Sequence, residues 1–383
     1  MYYAFSLLIE PLANASGVGR GEVVGAFSVG LLANGLASRP VGRLIDRHGG
    51  RRAMTIGSLA SAALLAMLAH VGNAWQLYAV WALLGLAMSA TLYDPAFAVL
   101  GQVFKENQRK AITALTLFGG FASTVFWPLT QALVTRYGWQ HALHLLGAAN
   151  LLVCAPLHWW MLPKAAEAAT SRALPAAKTS APAPLFRDPA FIWLCVAFTG
   201  NALVFSAMSV HLLPLLHAKG LTLTQAAWIG ALIGPMQVLG RILEFSFLSH
   251  WSSSRIGVLA MWLLPLSLGT LAFTSPHLAI MAFFALIYGS GNGVMTIVRG
   301  AIPAELYGRE RYGEINGAMA TPIFIAKAAG PVAAAVVLAV AQRPDVMLLA
   351  MAAVGAASAL LFSATVRHKR ARALSARRLD MTS

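Results

Sequence analysis

Among the ionisable side chains inside long apolar runs of this chain, five stand out: Asp94, Arg241, Glu244, Arg299 and Lys327. Charges in such surroundings are expensive to keep, so each asks for a function or a partner. Three are cationic and two anionic, a balance that favours an anionic ligand where the dielectric is low and unit charges attract strongly. Asp94 precedes Pro95 in "TLYDPAF"; the proline removes a helical hydrogen bond and bends the chain, as helices lining cavities often do. Asp94 reads either as a proton-binding or gating acid or as half of a permanent ion pair, with Arg299 or Lys327 as its cation. Arg241 and Glu244 lie three residues apart, so both project to one side of a helix with Gln237 one turn earlier. A forked guanidinium suits a carboxylate. Lys327, mid-run in "IFIAKAAGPVAAAVV", is too far from either end to reach water easily. Asn201, Ser206, His211, Asn292, Tyr2 and Tyr3 are weaker candidates to hydrogen-bond a substrate; interhelical contacts are the plainer reading.

Nothing in the chain suggests covalent chemistry. Cys154 and Cys195 sit in apolar runs, and the ten histidines are scattered, His141 and His144 without a carboxylate nearby. No catalytic residue, metal or cofactor is expected. The glycine-rich Tyr288–Gly293, "YGSGNG", lies within an apolar run, where small residues let helices approach rather than cradle phosphate.

The elements that must position these residues follow from composition. With 58% hydrophobic and 11% charged residues among 383, the chain is far less charged than a soluble domain, where charged residues are about 25%. Apolar runs at 1–15, 22–40, 53–71, 75–102, 111–134, 139–162, 190–216, 223–248, 256–274, 277–303, 314–340 and 346–366 give twelve spans, most reaching the roughly 20 residues that cross hydrocarbon as a helix. The first reads as the second half of a helix whose start is missing. A formal charge of +15 would suit nucleic acid, but its placement does not. Only Arg20, Arg136, Lys219 and Arg343 fall in loops of one side, and the other loops and the tail carry the basic excess. That asymmetry is an orientation signal, placing both termini in the cytoplasm.

Residues 163–189, rich in Ala, Pro, Ser and Lys, read as a cytoplasmic linker between six spans at 1–162 and six at 190–366, with a basic tail at 367–383 that suits lipid headgroups. The halves repeat weakly. Phe5-Ser6 matches Phe205-Ser206, Pro11-Leu12 matches Pro214-Leu215, Gly17 matches Gly220, and Thr91–Asp94 parallels Thr296–Arg299. Such repeats mark secondary transporters, whose site lies between the halves at the bilayer midplane; there Asp94 and Arg299 would face each other.

Between the second and third spans stands Gly42–Arg52, "GRLIDRHGGRR". Asp46 there can latch onto a helix N-terminus, with Arg47, Arg51 and Arg52 reaching headgroups or acids such as Glu305, Glu310 and Glu314. Gly42, Leu44, Asp46, Arg47, Gly49 and Arg51 fall on the pattern of the loop joining helices 2 and 3 in the major facilitator superfamily, which the chain therefore resembles. The resemblance implies an all-α integral membrane protein with twelve transmembrane helices in two pseudo-symmetric six-helix bundles. It also implies a conformational switch at Gly42, Asp46, Arg47, Gly49, Arg51 and Arg52. Tyr2, Tyr3, Phe5, Pro11, Arg20, Glu22 and Val23 resemble the monocarboxylate porter and oxalate–formate antiporter branch. That branch carries an anion-binding arginine in helix 8, which Arg241 could match, and usually an aspartate where Gln237 stands. A second alignment, Gly240–Glu244 on Gly42–Asp46, makes Arg241 instead a closure contact; both readings stay open. The drug–proton exporters of the superfamily are the rival, although "WALLG" (Trp81–Gly85) and "GGFASTVFWPL" (Gly119–Leu129) lack their motifs. A membrane sensor or enzyme is the alternative from another class. The expectation is a monomeric inner-membrane transporter that moves a small organic anion, with or without protons, by alternating access, in contact with membrane lipid and not with nucleic acid. The anion would be held by Arg299 with Arg241 or Lys327, and Asp94 would act as the proton or gating acid.

Overall fold

A computed structural model describes residues 4–104, 107–163, 185–274 and 277–380. Tyr2 and Tyr3, and with them the Tyr3 candidate, lie outside the described residues, as does most of the 163–189 linker. Regular structure among the described residues is helical throughout. The first part of the chain forms α1 (Phe5–Ser16), α2 (Arg20–His48), α3 (Gly50–Leu68), α4 (Ala74–Ser89), α5 (Tyr93–Val103), α6 (Gln108–Gly120), α7 (Ala122–Ala149) and α8 (Ala155–Met161). The remainder forms α9 (Pro189–Ala218), α10 (Leu223–Phe247), α11 (Ser253–Phe273), α12 (Leu278–Tyr307), α13 (Tyr312–Ala341) and α14 (Pro344–Asp380).

Nine helical stretches among the described residues are long and apolar enough to cross a membrane. The twelve expected spans exceed this because α1 is 12 residues long, α3 holds Arg51 and Arg52 within its 19, and α6 ends after 13. Large apolar side chains such as Trp75, Phe118, Phe273 and Val340 are almost fully exposed. Water would penalise that surface, and acyl chains do not.

Two departures from the sequence expectation bear on function. The run 75–102 is two helices: α4 stops at Ser89 and α5 starts at Tyr93. Pro95 has no N–H for the carbonyl four residues back, so the ladder fails there, and Asp94 falls in the first turn of α5. The stretch Gly42–His48, expected as loop, is the last two turns of α2. Only Gly49, at φ +75°, leaves the helix before α3 begins at Gly50. Positive φ is where glycine alone is comfortable.

Contacts divide the described residues into two compact units. One holds the chain up to Ala111, Phe118 to Pro163, and Gly308–Ile325; the other holds Ile112–Leu117, Leu185 to Tyr307, and Ala326 onward. The first is centred on Leu12, Val23, Leu65, Leu77 and Trp81. There Phe5 stacks on Phe27 at 4.1 Å, and Trp81 meets both edge-on at 5.3 and 5.1 Å. The second packs Met208, Leu212, Leu264, Leu268, Phe284 and Met347. Within it α10 and α12 touch through glycine, as the "YGSGNG" stretch requires. A Cβ on Gly293 would stand 2.1 Å from the Gln237 carbonyl oxygen, and one on Gly240 2.6 Å from Ser290.

Candidate functional site

The first unit places α2 against the start of α13 through residues spaced three and four apart. Gly35, Ser38 and Gly42 on α2 meet Gly313, Gly317 and Thr321 on α13, and the backbones nearly touch. A Cβ on Gly42 would lie 1.9 Å from the Gly313 oxygen, and one on Gly317 2.3 Å from the Ser38 oxygen. Thr321 Oγ1 donates to the Gly35 carbonyl at 2.6 Å. Small residues in this rhythm are how helices interlock when lipid supplies no hydrophobic drive.

The seam ends in a cap. Asp46, 8% exposed, accepts from the Gly313 N–H at 2.8 Å through Oδ1 and from the Glu314 N–H at 2.7 Å through Oδ2. These are among the orphan donors of α13's first turn, and a carboxylate there also meets the positive end of the helix dipole. Beside it Glu314 is buried among cations. Arg39 and Arg43 reach Oε1 at 2.9 and 2.7 Å, and Arg311 reaches Oε2 at 2.8 Å. The cations on Glu314 are thus these three, where the sequence suggested Arg47, Arg51 and Arg52. Arg47 and Arg52 are exposed, Arg51 lies 4.4 Å over the Trp159 ring, and Glu305 accepts from Ser254 N and Oγ at 3.2 and 2.5 Å.

Higher in the same unit Asp94, 8% exposed, accepts from Asn316 Nδ2 at 3.1 Å, and the same amide reaches the Asp94 carbonyl at 3.4 Å. Asn316 is buried, one turn beyond Tyr312 on α13. An uncharged amide is thus one partner of this acid. Sequence reasoning missed Asn316, Arg39 and Thr321. Their signal was the spacing of "YGEINGAMATP" against Gly35, Ser38 and Gly42, legible only once α2 and α13 are known to touch.

In the second unit Arg241 is 4% exposed and Glu244 1%. Arg241 Nη1 donates to the Thr116 carbonyl at 2.9 Å and Nε to the Gly293 carbonyl at 3.3 Å. Thr113 Oγ1 donates to Glu244 Oε2 at 3.4 Å. The guanidinium is thus fixed by backbone carbonyls of α6 and α12, with a carboxylate one helical turn along and Gln237 half-buried. Nearby in chain order, Ser206 Oγ donates to the Lys327 carbonyl, and His211 Nε2 lies 3.0 Å from the Pro331 carbonyl oxygen. Lys327, Arg299 and Asn292 are half-buried. Asn201 is 6% exposed, and its Nδ2 has no hydrogen-bond partner among the described residues.

A sequence profile of the Major Facilitator Superfamily matches residues 1–331. The chain belongs to that superfamily. Membership makes it a multi-pass membrane protein from a family of transporters rather than of enzymes, built on the major facilitator fold of two six-helix bundles of transmembrane helices. Its sequence is similar to monocarboxylate transporter 12 of Xenopus laevis, 25% identical over 226 residues that are 53% of this chain and 49% of that protein. It is similar also to monocarboxylate transporter 13 of Rattus norvegicus, 26% identical over 298 residues, 74% of this chain and 66% of the relative. Against the Xenopus protein the match spans about half the relative's length. The resemblance read from the sequence, to the superfamily and to its monocarboxylate branch, is borne out by these matches. Among solved structures the human organic anion transporter MFSD10 (TETRAN) superposes with a TM-score of 0.70 at 17% identity, covering 94% of this chain and 90% of that one. The E. coli fucose:proton symporter gives 0.68 at 15% identity, covering 95% of both. At such identity these two speak for the fold alone.

Proposed function

We propose that this major facilitator protein carries a small organic anion of the monocarboxylate class together with a proton, by alternating access. Arg241 would take the substrate carboxylate and Glu244 the proton. The observation that supports this most is a guanidinium 4% exposed, one helical turn from a carboxylate 1% exposed, in a chain whose relatives are monocarboxylate transporters. Ionised Glu244 offsets the arginine. Protonated, it leaves the arginine's field for an incoming carboxylate, and a forked donor held by two carbonyls is already oriented to receive it. Anion and proton then travel together because neither is well housed alone. The acid usual in this branch before the arginine is replaced by Gln237, so in this chain the acid would follow the arginine instead. Arg299 and Lys327 add positive field, Asn201 and His211 are candidate polar contacts, and Asp94 with Asn316 is assigned to gating. The halves 1–162 and 190–366 would be the moving parts. The Asp46 cap, with Gly42, Gly49 and the neighbouring arginines, would be the cytoplasmic latch. The basic excess on one set of loops supports an inner-membrane protein with both termini inside; a single chain suffices for this mechanism.

The test is transport in proteoliposomes with a panel of radiolabelled monocarboxylates and cationic drugs. Glu244→Gln should abolish accumulation driven by a pH gradient while sparing substrate counterflow, and Arg241→Gln should abolish both. Accumulation by Glu244→Gln at the parental rate would remove the proton role. Unimpaired counterflow by Arg241→Gln would remove the anion site.

A further inference from the structure

At one end of the second unit α9, α11 and α14 surround a groove of about 1000 Å³ open to the exterior. Its rim carries Arg255, Arg367 and Arg370, all exposed, and its walls carry Trp193, Trp251 and Trp262. None of the three arginines makes an ion pair among the described residues. The basic residues between and beyond them face elsewhere. Lys369 holds Asp188 at 2.7 Å and Arg372 lies 3.9 Å from it, while Lys369 also covers the Tyr307 ring at 3.9 Å. The helical period therefore sorts this basic run into two faces. One is neutralised by Asp188, and the other is left with an uncompensated charge over a cavity.

The groove also has a polarity gradient. Trp262 stands seven residues beyond Arg255 on α11, and Leu360 seven before Arg367 on α14. At 1.5 Å per residue both lie about 10 Å deeper than the arginines, which is the distance from headgroup phosphates to the acyl region. Tryptophan favours that boundary, with an apolar ring and one polar edge.

We propose that this groove binds one anionic phospholipid, its phosphate on Arg255, Arg367 and Arg370 and one acyl chain against Trp262 and Leu360. Charge complementarity selects an anionic over a zwitterionic headgroup, and the apolar depth selects a lipid over free phosphate. The proposal is independent of the transported substrate.

Native mass spectrometry of the full chain, released from nanodiscs of phosphatidylcholine with phosphatidylglycerol, tests it. One phosphatidylglycerol should be retained in preference to phosphatidylcholine. Arg255→Gln with Arg370→Gln should weaken that retention about tenfold or more, on the scale of the attraction per basic residue at a charged membrane surface. Hydrogen exchange of the unsubstituted protein is the second measurement, and it needs no variant to fold. The α14 segment around Ser363–Ala371 should slow in phosphatidylglycerol discs relative to phosphatidylcholine discs. Equal retention of the two lipids, unchanged retention by the double variant, or equal protection by millimolar inorganic phosphate in phosphatidylcholine discs would each overturn the proposal.

Discussion

Asp46→Ala is the sharpest probe of the latch. The carboxylate caps α13 with two charge-assisted hydrogen bonds at 2.8 and 2.7 Å, at a site 8% exposed. Losing an N-cap costs roughly 1 kcal/mol on average. Buried N–H groups left without an acceptor add about 1–3 kcal/mol. Allowing for water that enters as the seam loosens, about 3 kcal/mol of the closed arrangement is lost, a shift on the order of a hundredfold at tenfold per 1.4 kcal/mol. Ser38→Cys, in a background where Cys154 and Cys195 are serine, reports the opening. Ser38 is buried against Gly317, so a thiol there reacts with maleimide only when α2 and α13 part. Labelling of inside-out vesicles should accelerate in Asp46→Ala by up to that factor, at unchanged expression. Labelling at the parental rate would show that the cap does not hold the seam and would refute the reasoning.

Gly42→Ala should be as disabling by the opposite route. Its Cβ would lie 1.9 Å from a backbone oxygen that cannot step aside, so the seam cannot close, and transport should fall at least tenfold with membrane insertion intact. Asn316→Ala removes the amide from Asp94 and should cost roughly 1–3 kcal/mol, read as a lower midpoint in detergent-solubilised thermal unfolding; Asn316→Asp should be worse, since it sets two carboxylates together. A pH response is expected where the basic end of α14 docks. Burial alone would raise the Asp188 pKa, but the Lys369 hydrogen bond and charge outweigh it, with help from the Ala190 N–H, and hold it below the ordinary value. The stabilisation is therefore complete above the unfolded value of about 3.9 and is lost as the pH falls through the depressed folded value. Limited proteolysis near Lys369 should be flat from pH 8 to about 5 and rise only in stronger acid; Asp188→Asn should abolish that dependence.

Much of the architecture was legible because a hydrocarbon solvent imposes a coarse rule: long apolar runs must close their backbone hydrogen bonds within themselves, as helices. Proline at position 95 announced a bend, though not the full break between α4 and α5. The Gly42–Arg52 pattern announced an acid suited to a helix N-terminus, which Asp46 is. The partners of that acid were not legible. Asp46 meets residues 267 and 268 positions away, and helical periodicity describes a face without naming what covers it. The same limit hid Asn316, an ordinary polar residue until Asp94 is found beside it, and sent Glu314 to the wrong arginines. Gly42–His48 looked like a loop because charge and glycine are turn-like on average; in place, those residues must stay helical so that Gly42 and Asp46 share one face.

A single residue, Gly49, separates α2 from α3, and its N–H still bonds back to Ile45 at 2.8 Å. So short a joint leaves no slack for one rod to shift while the other stays put. Whatever tugs on the carboxylate at position 46 is delivered at once to the neighbouring rod, which makes the pair a stiff fork rather than two sticks on a string.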